Sequence, residues 1–171
     1  MEPITQDQNH NRTAERNYRD TRREHNDQTA KSMDNWKGLG GYYHHRLTEV
    51  YSFLVAPGMR VLELGCGQGD LLASLKPYIG VGLDLSIEMV KRAAARHVDL
   101  SFFSADAMNI GLEGPFDVII LSDLLNDLWD VQAVFNEVRR LSHPRTRIII
   151  NVYSRLWELP LSLAEALKLA K

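Results

Sequence analysis

Features that would by themselves assign a function class are scarce in this 171-residue sequence. Cys66 is the single cysteine, which excludes an internal disulfide framework and a cysteine-based metal site. No apolar run approaches the roughly 20 residues that span a bilayer, and no apolar stretch of the signal-peptide kind follows Met1. No arrangement of His, Asp and Glu suggests a metal site. We therefore expect a cytoplasmic, metal-free protein.

A strong excess of charge of one sign is also missing, because the formal net charge is -2 at pH 7. The chain has no overall field that would attract a polyanion, so strong nucleic-acid binding is not expected. Apolar residues make up 44% and charged residues 25% of the sequence, which is ordinary for a globular protein. The length fits a single domain.

Residues 1–35 differ in composition from the rest, since they are rich in Asn, Arg, Asp and Gln. Such a segment buries too little apolar surface to offset its ordering entropy. The sequence therefore predicts disorder or a loose polar helix here, a polar tail outside a domain of residues 36–171. A basic arm is the functional alternative, but the acidic residues between the arginines favour a solvated tail.

From residue 42 onward, short apolar runs alternate with helical patterns. A first helix is predicted over residues 42–54 and a last one over 161–169. Strand candidates lie between them, at residues 60–64, 81–83, 100–103, 116–121 and 147–151. Strands that are apolar on both faces and alternate with helices indicate a parallel sheet covered on both sides. The predicted fold class is α/β, with a doubly wound and mostly parallel sheet.

The strongest chemical signal is the turn after the first predicted strand, Gly65-Cys66-Gly67-Gln68-Gly69. Alternate glycines let the backbone turn tightly and approach a ligand without a Cβ in the way. Asp84 ends the second predicted strand. A doubly wound sheet places its carboxylate beside the turn, within reach of both hydroxyls of a ribose. Together these residues indicate a cofactor that contains adenosine.

The spacing of the glycines in the turn distinguishes a dinucleotide-binding site from a site for S-adenosylmethionine. Dinucleotide-binding turns read Gly-x-Gly-x-x-Gly, whereas the sixth position here is Asp70, and Gly69 comes one place early. Glu63 would lie unfavourably near a pyrophosphate, but its carboxylate suits a ligand that carries an ammonium and a sulfonium group. A P-loop is excluded, because no Gly-Lys-Ser/Thr follows the turn.

Four stretches resemble, in the right order, the motifs of the class I S-adenosylmethionine-dependent methyltransferases: residues 61–70, 82–89, 104–107 and 116–123. The resemblance implies a Rossmann-like methyltransferase fold, S-adenosylmethionine as cofactor and methyl transfer to a small-molecule acceptor. This family usually adds an antiparallel C-terminal hairpin, which we expect this chain to lack. The domain would then be incomplete at its C-terminal end, and a homo-oligomer or a partner could cover the edge of the fifth strand.

The residues expected to bind the cofactor come from all four motifs: Glu63, Gly65, Cys66, Gly67, Gly69, Asp84, Leu85, Met89, Asp106, Ala107 and Ser122. The resemblance places Glu63 and the first two glycines around the methionine part, and Asp84 on the ribose. It places Leu85, Met89 and the third motif at the adenine. Ser122 is expected under the cofactor. Cys66 stands where the family has a small residue, so it is not assigned as a nucleophile.

Methyl transfer requires an acceptor aligned with the methyl group, and a weakly nucleophilic acceptor also needs a base. The resemblance makes Tyr43 and His44 candidates, since the helix before the first motif often folds over the cofactor. Asp123 and Asn126 follow the fourth strand and are candidate acceptor contacts. The candidate catalytic residues are Tyr43, His44 and Asp123. The alternatives are a non-catalytic S-adenosylmethionine-binding module and a nicotinamide-dependent reductase, which the glycine spacing disfavours.

Overall fold

The computed structural model describes residues 6–32 and 39–152. Its centre is a sheet of parallel strands in the order β3-β2-β1-β4-β5. The strands are β1 (Arg60–Leu64), β2 (Ile79–Asp84), β3 (Ser101–Ser104), β4 (Phe116–Ser122) and β5 (Ser142–Asn151). The predicted α/β class with a doubly wound, parallel sheet is confirmed.

The helices are α1 (Gln6–Ser32), α2 (Leu39–Leu54), α3 (Asp70–Ser74), α4 (Ile87–Arg96) and α5 (Val131–Arg140), and a 3₁₀ turn spans Leu125–Asp127. Apolar clusters cover both faces of the sheet, because successive residues of a strand point to opposite sides. Leu62 packs in one cluster with Val134 of α5. Val61 packs in the other with Tyr51 of α2 and Leu72 of α3. These clusters fix the helices around the central strands.

The strand order reverses at β1, which pairs with β2 on one side and β4 on the other. Leu64 is in register with Leu83 and with Leu121, so the residues after these three meet at one edge of the sheet. In open α/β sheets, ligands bind outside the carboxyl ends of the strands at such a reversal. The fold therefore brings the glycine turn, Asp84 and Ser122 to the same place.

The N-terminal polar segment differs from the disordered tail expected from composition, because α1 is a helix that packs on the domain. Asp27 accepts hydrogen bonds from Ser86 Oγ and, at 3.4 Å, from the Glu88 N–H, and Ala30 is fully buried. Disorder was expected because the segment has little apolar surface to bury. The polar side chains of α1 instead form hydrogen bonds with residues of the domain. The polar helix was the right alternative for residues 6–32. That residues 36–171 form a domain separate from this segment stays a prediction.

Three polar residues have structural roles. The Ser86 hydroxyl accepts from the Met89 N–H at 3.1 Å and caps α4, and Asp130 accepts from the Ala133 N–H at 3.0 Å and caps α5. The Asp117 carboxylate accepts from the Arg60 N–H at 2.8 Å, which fixes the start of β4 beside β1. These three roles are structural and lie outside the chemistry.

One of the two edge strands of the described sheet, β5, begins at Ser142, five residues before the predicted start at Arg147. The predicted helix over residues 161–169 and the question of a C-terminal hairpin lie outside the described residues. Within residues 6–32 and 39–152, no helix is both long and apolar enough to cross a membrane.

Candidate functional site

The glycine turn is bonded to the end of β2. The N–H groups of Gly65 and Cys66 both donate to the carbonyl of Leu83, at 2.8 and 2.9 Å. The Gly67 N–H donates to Asp84 Oδ2 at 2.9 Å. Gly65 and Gly67 have φ angles of +74° and +51°, in the left-handed region that favours glycine. The glycine turn and Asp84 are therefore in contact, as the sequence predicted.

Asp84 is 7% exposed and holds two backbone groups at once. Its Oδ1 accepts from the Ser86 N–H at 2.8 Å, while its Oδ2 accepts from Gly67. Burial raises the pKa of the Asp84 carboxyl above its ordinary value, and the two backbone hydrogen bonds oppose that rise. The carboxylate therefore joins the glycine turn to the start of α4, and Asp84 also lines a cavity.

Two cavities adjoin at the carboxyl ends of the strands. The Asp84 cavity, of about 150 Å³, lies between α1 and the loops after β2, β3 and β4; its lining includes Asp84, Leu85, Asp106, Ala107 and Trp129. The Glu63 cavity, of about 380 Å³, lies under α2; its lining includes Glu63, Cys66, Gly67 and His44. Both are lined by Gly65, Ser122 and Asp123. Together they fall within the roughly 300–1,000 Å³ of small-molecule sites.

Glu63 is the most unusual residue of this edge. Its side chain is 2% exposed, and its Oε2 has no hydrogen-bond partner among the residues that the structure describes. Desolvation raises the pKa of this carboxyl from 4.5 to about 8; a backbone hydrogen bond from Leu72 opposes the rise, and Asp84 adds to it. A buried carboxylate without a cation is costly. A ligand ammonium in the Glu63 cavity would supply that cation.

Asp123 is held where the two cavities meet. Tyr43 Oη donates to Asp123 Oδ2 at 2.7 Å, and Asn151 Nδ2 donates to Asp123 Oδ1 at 2.7 Å. Tyr51 Oη in turn donates to Asn151 Oδ1 at 2.5 Å. The φ of Asp123 is +54°, a strained angle for a residue with a side chain. These bonds orient the carboxylate despite the strain.

The three candidate catalytic residues lie together. Burial and the neighbouring Asp123 raise the pKa of the Tyr43 hydroxyl far above 10, so this group stays protonated at neutral pH and acts as a donor. Desolvation raises the pKa of Asp123, while its hydrogen bond from Tyr43 and the charge of His44 oppose that rise. The Tyr43 and His44 rings are 5.7 Å apart. Tyr43 therefore orients Asp123 as a donor, and the Asp123 carboxylate is able to accept a proton.

Some predicted residues have other surroundings. Gly69 and Met89 line neither cavity; a Cβ on Gly69 would lie 2.6 Å from the Phe102 ring, and Met89 is a buried residue of α4. Asn126 also lies outside both linings. Burial, with the charges of Glu63 and Asp84, raises the pKa of the Cys66 thiol, which disfavours a thiolate nucleophile. The cofactor roles of Gly69 and Met89 stay predictions.

The sequence prediction did not include the wall that α1 contributes. Tyr18, Arg22 and Asn26 line the Asp84 cavity, as Trp129 does. A signal was present in the sequence, because these three residues and the fully buried Ala30 recur every fourth position. That spacing places them on one face of a helix.

Comparison with known proteins identifies the fold. The model of a family described as a methyltransferase domain matches residues 56–171. A demethylmenaquinone methyltransferase of Beutenbergia cavernae is 32% identical over 101 residues, which are 57% of this chain and 42% of that protein. The chain thus spans less than half of that relative's length.

Two solved structures are similar over most of the described fold. A protein of Pyrococcus horikoshii is 26% identical with a TM-score of 0.62, covering 71% of this chain and 63% of that one. A Geobacter sulfurreducens S-adenosylmethionine-dependent methyltransferase, solved with S-adenosylhomocysteine, is 24% identical with a TM-score of 0.51, covering 61% and 45%. The family match extends over more than half of the sequence and agrees with the glycine turn and Asp84. The chain belongs to the methyltransferase domain family.

Proposed function

We propose that the chain binds S-adenosylmethionine across the two cavities and transfers its methyl group to a small-molecule acceptor beside Asp123. The observation that carries this proposal is the buried carboxylate of Glu63, a residue that lines the Glu63 cavity and whose Oε2 lacks a partner among the described residues. An amino-acid ammonium is the group that this oxygen lacks. A pyrophosphate there would add negative charge to Glu63, Asp84 and Asp70, so a dinucleotide fits poorly.

S-adenosylmethionine, when bound, supplies a methyl group attached to a positively charged sulfur. Glu63 would hold the ammonium of its methionine part, with Gly65 and Gly67 allowing close approach of the backbone. Asp84 would accept hydrogen bonds from the ribose, and Asp106 would lie at the adenine. The demethylmenaquinone methyltransferase relative supports methyl transfer as the reaction, because it is a methyltransferase by name, and a neighbour with the same fold was solved with S-adenosylhomocysteine.

Replacing Asp84 by Ala should weaken S-adenosylhomocysteine binding by about 1.5–3 kcal/mol, the range for hydrogen bonds to a charged group. Calorimetric titration of wild type and variant measures this, with a nicotinamide dinucleotide as a second ligand. The variant also removes the carboxylate that accepts hydrogen bonds from the Gly67 and Ser86 N–H groups. A thermal melt of the variant therefore checks that it is still folded. Tighter binding of the dinucleotide than of S-adenosylhomocysteine would overturn the proposal, and unchanged affinity in the variant would place the ribose elsewhere.

On the acceptor side, the Asp123 carboxylate would take the proton that an acceptor hydroxyl or amine loses as it gains the methyl group. Tyr43 and Asn151 hold that carboxylate through its two oxygens. Asp123→Asn should therefore lower turnover of a proton-losing acceptor by a factor of about 100 or more, the usual contribution of a general base. The affinity for S-adenosylhomocysteine should change little.

A panel of acceptors, assayed by release of S-adenosylhomocysteine, measures this effect. Equal turnover by wild type and Asp123→Asn would exclude Asp123 as the base. Binding of the cofactor without turnover of any acceptor would instead identify a non-catalytic binding module.

The outer edge of β5 is the place where we propose that a second copy or another partner pairs. Ile148 and Ile150 are 43% and 39% exposed there, and β5 pairs only with β4 within the described sheet. An apolar edge strand invites such pairing. A cytoplasmic location likewise remains part of the proposal.

A further inference from the structure

We propose that α1 is part of the cofactor site: its face from Tyr18 to Asn26 forms the outer wall of the Asp84 cavity and slows release of the adenosine part of the cofactor. The inference rests on the proposed function, since it needs the adenosine to lie in that cavity. It adds residues of the N-terminal helix to a site otherwise built from the loops at the carboxyl ends of the strands.

The face that α1 turns towards the domain is defined by residues four positions apart. Tyr18, Arg22 and Asn26 line the Asp84 cavity, and Ala30, on the same face, is fully buried. The Tyr18 ring lies against the Trp129 ring with a centroid distance of 5.4 Å. Asp84 and these α1 residues line the same cavity, so a ligand in it would lie between the sheet edge and α1.

Three polar tethers hold α1 over the cavity. Asp27 binds Ser86 and Glu88, in the segment after β2. Arg19 Nη1 lies 3.5 Å from Asp106 Oδ2, in the segment after β3.

The third tether joins Arg22 to Asp127, in the segment after β4. The helix therefore bridges the loops after three strands, between which a bound nucleoside would lie. We refer to α1 with these three tethers as the α1 clamp.

The α1 clamp is weak enough to open. Its apolar burial within the described residues is confined largely to Tyr18 and Ala30, and its ion pairs are partly exposed, with 29% of the Arg22 and 35% of the Asp127 side chain accessible. Ion pairs of this kind change an equilibrium by about two- to fivefold. Exit of the adenosine past α1 requires these pairs to break, so each pair lowers the release rate.

The test measures release of S-adenosylhomocysteine by stopped flow, with excess S-adenosylmethionine added as the chase. Arg22→Ala and Asp127→Asn should each release it about two- to fivefold faster than wild type. The double variant should be no faster than Arg22→Ala alone, because both changes break one pair. Alanine keeps the helix propensity of α1. Arg23→Ala is the matched control, since Arg23 pairs with Asp20 within α1 at 3.3 Å, and its release rate should equal that of wild type.

Hydrogen exchange gives a second readout that needs no turnover. Saturating S-adenosylhomocysteine should protect the α1 amides in wild type and in Arg23→Ala, and protect them less in Arg22→Ala. Equal release rates in wild type, Arg22→Ala and Asp127→Asn, or α1 amides that exchange alike with and without the ligand, would overturn the α1 clamp. In that case the Asp84→Ala effect on affinity would still stand. No binding of S-adenosylhomocysteine to wild type would overturn the proposed function itself.

Discussion

Glu63→Gln is expected to weaken S-adenosylmethionine binding at least about 100-fold. Removing one partner of a buried ion pair costs roughly 3–5 kcal/mol, and about 1.4 kcal/mol corresponds to a factor of ten in affinity. Glutamine has nearly the shape of glutamate, so the cavity keeps its form while the charge that holds the ammonium is lost. Calorimetric titration with S-adenosylhomocysteine, which carries the same ammonium, measures the change.

The same substitution should stabilise the ligand-free protein at high pH. Because burial raises the pKa of Glu63 from 4.5 to about 8, the folded chain retains a proton that the unfolded chain releases. The unfolded state then binds fewer protons between these values, so wild-type stability falls as the pH rises from about 4.5 to 8. Glutamine does not titrate. The variant should melt at a higher temperature than wild type at pH 9, and the difference should shrink towards pH 4.

Asp117→Asn is the matched control, because it removes a carboxylate from the opposite end of the sheet. A backbone hydrogen bond from Arg60 lowers the pKa of Asp117, so its charge stabilises the fold above the ordinary pKa, and its replacement should lower the melting temperature at neutral pH. Its affinity for the cofactor should stay at the wild-type value. Wild-type affinity in Glu63→Gln, or a melting difference that is the same at pH 4 and pH 9, would contradict the role of Glu63.

The sheet and its ligand edge could be predicted because their signals are local. Apolar runs such as residues 116–121 are buried on both faces, and alternation with helices leaves few arrangements other than a parallel sheet. The glycine turn and Asp84 follow neighbouring strands, so their proximity follows from the fold class. The start of β5 was harder to predict, since Pro144 indicates a turn. An edge strand tolerates a proline, because the missing N–H need not serve the ladder.

The spacing of Tyr18, Arg22 and Asn26 marks one face of α1, but what that face contacts depends on residues far away in the sequence. The acceptor side depends on such distant pairs as well, and these leave no local signal. Asn151 meets Tyr51 and Asp123 only because the ends of β4 and β5 lie beside α2 in the folded chain. Tyr51 reads in the sequence as an apolar position of an amphipathic helix, and its hydroxyl partner is 100 residues away. In the sequence, Arg22 is likewise one of several charged residues of a polar segment. Its ion pair with Asp127 forms only in the folded chain.

Gly67→Val is expected to abolish measurable S-adenosylhomocysteine binding while the chain stays folded. A Cβ at Gly67 meets no described heavy atom within 4 Å, so the protein itself leaves room for a side chain. That room belongs to the Glu63 cavity, which Gly67 lines. A branched side chain would therefore occupy the space of the ligand. Titration calorimetry and thermal melting of the same preparation measure both effects.

Backbone strain at Gly67 is the competing explanation for a loss of binding. Gly58→Val distinguishes strain from a steric clash with the ligand. Gly58 has a φ of +81° and, like Gly67 at +51°, no described heavy atom within 4 Å of the place that a Cβ would take. It lies in the turn between α2 and β1, however, and lines neither cavity. Left-handed backbone costs a residue with a side chain roughly 1–2 kcal/mol, so both variants should lose similar stability. Only Gly67→Val should lose the ligand. If Gly58→Val binds as poorly, or if Gly67→Val binds within about tenfold of wild type, the backbone of the turn does not lie against the cofactor, and the site must be sought along another part of the sheet edge.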